Sequence, residues 1–258
     1  MQALPNLPPD NAPPPDPWAG LRAFTAARIA LGRTGTSVPL REALAFRLAH
    51  AHARDAVYSA LNTGQLLTEL PALGLPVCQV RSRAGTRQEY LQRPDQGRHL
   101  ADDSKTEITE HVSSECDIVT VLADGLSATA SNTHALPLLR LLVPELRRAG
   151  FRLGPLVLAE QARVALGDEI GQLARARLVL VLIGERPGLS APDSLGAYFT
   201  YEPRPGLTDE ARNCVSNIRP EGLAYPAAAA RLLHLLPEAL RRQLSGVGLK
   251  DESDLLLN

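Results

Sequence analysis

Over its second half, the chain alternates short, dense apolar runs with longer amphipathic stretches. Runs such as residues 178–183 are typical of strands that a parallel sheet buries on both faces. The predicted strands are residues 117–122, 155–159, 178–183 and 197–201, and the predicted helices are residues 126–149, 168–176 and 226–243. Pro137 and Pro144 are expected to kink or divide the first helix. Residues 116–258 are therefore predicted to form a doubly wound α/β domain with a mostly parallel sheet.

The first half of the chain has a different pattern. Residues 1–20 are rich in proline and offer little to bury, which predicts a disordered tail. Residues 21–60 are predicted to be helical, with Leu40, Leu44 and Leu48 forming an apolar line at four-residue spacing. Residues 76–80 resemble a strand, and the rest of the region is mixed. Residues 21–115 are therefore expected to form a helical arm and a mixed region ahead of the α/β domain.

Composition and charge exclude several classes of protein. The 258 residues include 27 basic and 28 acidic side chains, so the formal net charge is −1 and no global field favours nucleic acid or an anionic membrane. No apolar run approaches the roughly 20 residues that span a bilayer, and no signal peptide is recognisable. Three widely separated cysteines match neither a disulfide framework nor a zinc site. We therefore expect a cytoplasmic protein with reduced thiols and no membrane or nucleic-acid partner.

Polar and glycine-rich segments follow three of the predicted strands, at residues 123–127, 160–168 and 184–190. In open α/β sheets, ligands bind beside the carboxyl ends of the strands, so a crevice is expected there. Asp124 is either a helix cap or a polar ligand contact, and Glu185 is either half of a solvated pair with Arg186 or an acceptor for ligand amides. A lone cysteine such as Cys214 is more often a packing residue than a functional one.

The same residues exclude several kinds of site. Residues 167–171 lack the spacing of a dinucleotide or phosphate-binding glycine motif, and no serine-hydrolase elbow is present. His50 and His52, two residues apart on a predicted helix, point to different faces and do not suggest a metal site. No catalytic residue and no protein metal ligand are predicted. Taken alone, these residues indicate an α/β ligand-binding domain.

Several longer strings carry a resemblance to a known family. They include FTAARIALGR at 24–33, LAHAHARDA at 48–56, ADGLSATA at 123–130, QARVALGDE at 161–169, GERPGLSAPDSLG at 184–196, RNCVSNIRPEGL at 212–223 and SGVGLKD at 245–251. In order and spacing they resemble the small subunit of ethanolamine ammonia-lyase. The resemblance covers the chain from about residue 21 to its end.

That resemblance implies a function and a fold. The family converts ethanolamine to acetaldehyde and ammonia by an adenosylcobalamin radical mechanism, and the small subunit has a Rossmann-like, cobalamin-binding domain. By position in the matching strings, coenzyme contact is carried over to Val164, Glu185 and Cys214, and also to Asp124. No Asp-x-His-x-x-Gly string is present, so the coenzyme is expected to be base-on, with cobalt not ligated by this chain.

The resemblance also implies partners and a location. The large subunit, a TIM barrel, is expected to hold the substrate, and the assembly is expected to be a hexamer of heterodimers. A cytoplasmic enzyme is expected, and a bacterial microcompartment is an alternative location, with residues 1–18 as the packaging signal. A stand-alone corrinoid- or nucleotide-binding protein without lyase activity is the alternative function.

Overall fold

The computed structural model describes residues 16–25, 27–112 and 114–250, so most of the predicted tail (residues 1–15) lies outside the described residues. The strands are β1 (Val77–Arg81), β2 (Cys116–Ala123), β3 (Leu153–Glu160), β4 (Ala176–Gly184), β5 (Leu195–Tyr201) and β6 (Asn213–Ile218). The helices are α1 (Leu40–Tyr58), α2 (Thr63–Glu69), α3 (Arg87–Gln92), α4 (Asp102–His111), α5 (Ala128–Arg148), α6 (Leu166–Leu173) and α7 (Tyr225–Arg242). Short 3₁₀ helices lie at Ala19–Phe24, Leu70–Leu73, Gln96–Arg98, Asp209–Ala211 and Gly246–Gly248.

The strands form one six-stranded sheet in the order β1-β3-β2-β4-β5-β6. The first four strands in that order are parallel to one another, whereas β5 runs antiparallel to both β4 and β6. The α/β class is thus confirmed. The sheet is mixed, however, so the doubly wound parallel sheet is not confirmed. The loop after β4 returns the chain to the sheet at the same edge, so β5 runs in the direction opposite to β4.

The central strands are mostly apolar because helices cover both faces of the sheet. Every residue of β2 is buried, and alternate side chains point to opposite faces. Ile118 and Leu122 belong to a core shared with α5 and α7, while Val119 and Val121 belong to a second core with α4 and α6. The two cores hold the carboxyl ends of the strands in a fixed arrangement.

The sequence predicted β2, β3, β4 and β5 to within two residues at each end, and β1 to within one. It did not predict β6. The prediction of a helix over residues 21–60 is wrong in part: a 3₁₀ helix ends at Phe24, and the α-helix begins only at Leu40. Pro137 and Pro144 lie inside α5 without dividing it. In the part of the chain that the structure describes, no helix is long and apolar enough to cross a membrane.

Candidate functional site

Loops from β2, β3 and β4 meet at one edge of the sheet. The three strands are parallel neighbours, so their carboxyl ends at Ala123, Glu160 and Gly184 lie side by side. A cavity of about 430 Å³ lies against these loops. It is lined by Tyr90, Gly125, Leu126, Arg163, Val164, Ile183, Gly184, Glu185, Arg186 and Tyr198. The expected crevice is therefore present at the expected edge.

Asp124 lies beneath this cavity and is almost completely buried. Its carboxylate accepts backbone N–H bonds from Gly125 at 2.9 Å, Gln161 at 2.8 Å and Ala162 at 2.9 Å. Burial raises the pKa of Asp124 to about 6, although these hydrogen bonds and the nearby Arg87 guanidinium favour the charged form. Asp124 does not line the cavity. Its geometry instead ties the loop after β3 to the loop after β2.

Arg87, on α3, reinforces that connection. Its guanidinium donates to the carbonyl of Gly125 at 2.8 Å and to the carbonyl of Val57 at 2.7 Å. It also lies 3.5 Å from the Asp124 carboxylate and 4.7 Å from the centre of the Tyr90 ring. One side chain therefore connects the end of α1 to the loop after β2.

Glu185 follows β4 directly and lines the cavity with a half-buried carboxylate. Its Oε2 accepts the backbone N–H of Asn217 at 3.2 Å and the hydroxyl hydrogen of Ser194. Among the described residues, no group donates a hydrogen bond to Oε1. Glu185 is thus held in place through one oxygen while the other can accept a bond from a ligand.

Val164 lies opposite, in the turn between β3 and α6. Its carbonyl accepts the N–H of Gly167 at 3.0 Å, which leaves the side chain as an apolar wall. The neighbouring Arg163 lies with its guanidinium 4.2 Å from the Tyr90 ring centre, and its buried Nε has no hydrogen-bond partner among the described residues. The cavity therefore combines apolar surfaces with both an acceptor and a donor.

Cys214 lies on β6, directly across from Tyr198 of β5. It does not line the cavity itself; Tyr198, which does, lies between Cys214 and β4. The residue is exposed, but the atoms around its thiol remove enough water to raise the pKa to about 11, opposed by a hydrogen bond from Tyr198. Val164 and Glu185 are thus brought together, Cys214 lies at the margin, and Asp124 lies underneath.

The state of this thiol yields a prediction. Only the thiolate reacts, and a rise in pKa from 9 to about 11 lowers the thiolate fraction at pH 8 by about 100-fold. Because a more basic thiolate is also a stronger nucleophile, we expect iodoacetamide to alkylate Cys214 roughly 10-fold more slowly than an unperturbed cysteine. Tyr198→Phe removes a hydrogen bond that lowers the pKa, so it should slow the reaction further. Mass spectrometry of the labelled peptide between pH 7 and 10 measures the rate. A rate equal to that of a free cysteine would contradict this account.

A second cavity, of about 570 Å³, shares Arg163 and Val164 with the first and extends along the start of α6. Arg212 and Asp168, which both line this cavity, form an ion pair at 2.7 Å. Within the described residues, no group of three or more His, Cys, Asp or Glu side chains is arranged to hold a metal ion.

Sequence reasoning did not identify four residues around the site: Arg87, Tyr90, Arg163 and Tyr198. Arg163 lies in the loop after a predicted strand, and that position could have identified it as a candidate site residue. Tyr198 could be recognised only by pairing β5 with β6, which was not predicted. Arg87 and Tyr90 come from the mixed region, where no local pattern indicates their position.

The chain is similar to known proteins over nearly its whole length. A family model described as ethanolamine ammonia-lyase light chain (EutC) matches residues 15–250. A relative from Pseudomonas fluorescens named ethanolamine ammonia-lyase small subunit is 53% identical over 245 residues, covering 94% of this chain and 88% of the relative. Relatives with the same name come from Pseudomonas putida, 53% identical over 249 residues (95% and 92% covered), and Azotobacter vinelandii, 54% identical over 244 residues (93% and 90% covered). The matched region includes every loop that lines the cavity.

Proposed function

The chain belongs to the ethanolamine ammonia-lyase light-chain family, and on that basis we propose that it is the small subunit of a lyase that converts ethanolamine to acetaldehyde and ammonia. The observation that carries this proposal is the family match over residues 15–250, which spans the arm, the sheet and all of the cavity loops. The chain is an enzyme subunit that works together with a large subunit.

The coenzyme we propose is adenosylcobalamin in its base-on form, with cobalt not ligated by this chain. Bound adenosylcobalamin would supply the radical chemistry of the reaction. A corrin ring carries a fringe of amide side chains, each of which needs hydrogen-bond partners once it is buried. The residues at the carboxyl edge fit such a group, because Oε1 of Glu185 is an open acceptor and Nε of Arg163 an unused donor beside apolar Val164.

Each proposed contact has a distinct task. Glu185 would accept hydrogen bonds from coenzyme amides, strengthened by its negative charge. Val164 would pack against the ring, and Cys214 would contribute packing at the margin beside Tyr198. Asp124, with its carboxylate occupied by three backbone N–H groups, would contribute by holding the loops in place rather than by a side-chain bond. None of these groups is a base for the reaction.

The substrate would lie on the partner. We propose a large subunit with a TIM-barrel fold that holds ethanolamine and the reacting face of the coenzyme, in a hexamer of heterodimers. This chain would then cover the other side of the coenzyme with its carboxyl-edge loops. Its contribution is to bind and orient the coenzyme, so it would be inactive alone.

Co-expression with the large subunit tests the assignment. We expect a stable complex and acetaldehyde formation that depends on added adenosylcobalamin. Glu185→Ala is expected to weaken apparent coenzyme affinity by about 1–3 kcal/mol, roughly 5- to 150-fold, because buried amides lose a charged acceptor. Glu110→Ala, an exposed glutamate on α4, is the matched control and should leave affinity unchanged.

Failure of the proposed function and failure of the proposed role of Glu185 give different results. If the wild-type pair forms no complex or no acetaldehyde, the proposed function is wrong. If the pair is active but Glu185→Ala binds coenzyme as the wild type does, only the role of Glu185 is wrong.

A further inference from the structure

Helix α1 presents large apolar side chains to solvent. Leu40, Leu44 and Leu48 follow one another at four-residue spacing, and Tyr58 lies on the same side of the helix at about 100° per residue. All four are between 53% and 74% exposed. We call these four residues the docking face. A surface helix normally turns such a stripe toward a core, so this one lacks a covering element among the described residues.

The opposite side of α1 makes the contacts with the rest of the protein. Ala49 and Ala56 are its buried residues, and both are small. The larger apolar residues therefore point away from the sheet and the smaller ones toward it. This arrangement does not serve the stability of the isolated chain, because burial of a leucine contributes more than burial of an alanine.

Two arginines fix α1 to the edge of the sheet that carries the cavity. Arg87 donates to Val57 near the end of α1 and to Gly125 on the cavity wall. Arg28 donates to the carbonyl of Leu189, in the loop that begins with Glu185, and lies 5.9 Å from the ring centre of Phe46 on α1. A protein bound to the docking face would therefore lie beside the cavity.

Charge indicates what kind of surface would bind. Helical geometry places Arg47 and Arg54 along one border of the docking face and Arg41 along the other, and all three are exposed. Asp55, the only acidic residue on this side of α1, lies on the docking face itself, between Leu48 and Tyr58. Two copies pairing through this face would bring like charges together, whereas an apolar groove with an acidic rim would complement it.

The terminal segments of this chain are poorer candidates. Residues 1–15 contain only Met1, Leu4 and Leu7 as large apolar side chains. Residues 251–258 follow the 3₁₀ helix Gly246–Gly248, where Asn213 accepts the N–H of Gly246 at 2.6 Å. Ser245, directly before this 3₁₀ helix, accepts the N–H of Tyr201, which pairs with Leu178 near the start of β4, at the end of that strand away from Gly184.

We propose that the docking face binds the large subunit, through an apolar groove bordered by carboxylates. The proposal rests on the proposed function, since a coenzyme shared between two subunits requires the partner to lie at the carboxyl edge. Binding there would use α1, through Arg28 and Arg87, to bring the partner against the loops that hold the coenzyme.

The test uses the co-expressed complex. Leu44→Asp/Leu48→Asp should weaken association with the large subunit by about 100-fold or more, measured by sedimentation of the purified pair, because two desolvated contacts become charged and face an acidic rim. Val247→Asp is the control and should leave association unchanged. Val247 is 80% exposed and lies two residues after Ser245, which accepts the N–H of Tyr201 at the end of β5 away from Gly184. Circular dichroism of each variant checks the fold, and Leu44→Ser/Leu48→Ser, expected to weaken association at least 10-fold, replaces the aspartates if they prevent folding.

Three results would overturn the proposal while leaving the proposed function intact. The first is an active wild-type complex whose association is unaffected by either double variant. The second is an isolated chain that self-associates through these leucines, becoming monomeric in the variant while the complex persists. The third is a deletion of residues 1–15 or 251–258 that weakens association as much as the double variant does. A wild-type pair that never associates would contradict the proposed function instead.

Discussion

Gly184→Ala is expected to lower the free energy of unfolding by about 3–5 kcal/mol and to abolish the proposed coenzyme binding. At Gly184, β4 passes so close to the start of α5 that an added Cβ would overlap the carbonyl group of Ser127 and approach the carbonyl oxygen of Asp124 to 2.8 Å. These are backbone atoms, which cannot rotate away as a side chain can. The amide of Leu126 also donates to the carbonyl of Gly184 at 2.9 Å, so separating the loops breaks a buried hydrogen bond.

Urea unfolding followed by circular dichroism measures this loss. Gly188→Ala provides a matched control in the same connection between β4 and β5, because its nearest neighbour is 3.5 Å from the added Cβ and the change should stay within about 0.5 kcal/mol. If the free energy of unfolding of Gly184→Ala is within about 1 kcal/mol of the wild-type value, the close approach of the two loops is not a feature of the protein in solution.

The edge of the sheet at which these loops meet could be predicted from sequence. Continuous apolar runs identify strands buried on both faces, and parallel strands bring their carboxyl ends together. The position of the ligand crevice follows from those two facts alone. Strand β6 was missed because its buried residues, Val215 and Ile218, are three positions apart, so it has neither the two-residue alternation of a half-buried strand nor the dense apolar signal of β4.

The remainder of the site depends on contacts that no local pattern encodes. Arg87 reaches Gly125 across 38 positions of the chain, and Tyr198 meets Cys214 only because β5 reverses direction. The resemblance to a family assigned coenzyme contact to Val164, Glu185, Cys214 and Asp124 by position, but it could not separate residues that line the cavity from those that lie beside it. Asp124 illustrates the difference, because its buried carboxylate bonds to loop amides rather than facing the cavity.

Arg212→Met is expected to lower the free energy of unfolding by about 3–5 kcal/mol at pH 8, since removing one partner leaves the other charge buried. The side chains of Arg212 and Asp168 are only 3% and 2% exposed. Arg212 also donates to the carbonyl of Leu207 at 3.0 Å and to the hydroxyl of Thr200 at 3.3 Å. It therefore ties α6, which starts beside Val164, to the segment that leads into Cys214.

The pH dependence of the variant distinguishes a lost charge partner from lost packing. Burial already raises the pKa of Asp168, opposed by the hydrogen bond and charge of Arg212. Without Arg212 the folded-state pKa rises further above the unfolded value, so the folded state binds a proton more tightly and stability falls as pH increases through that range. The loss of unfolding free energy in Arg212→Met relative to wild type should therefore be smaller at pH 5 than at pH 8. Urea unfolding at both pH values measures it.

A double variant that also lacks the Asp168 carboxylate completes the comparison. Arg212→Met/Asp168→Ala removes the unpaired carboxylate, so at pH 8 it should be more stable than Arg212→Met alone. Its loss of unfolding free energy relative to wild type should no longer grow between pH 5 and pH 8. Packing loss alone would make the double variant less stable than the single one at both pH values. That result would mean that Arg212 acts mainly through packing. Contacts other than this ion pair would then hold α6 and β6 in place.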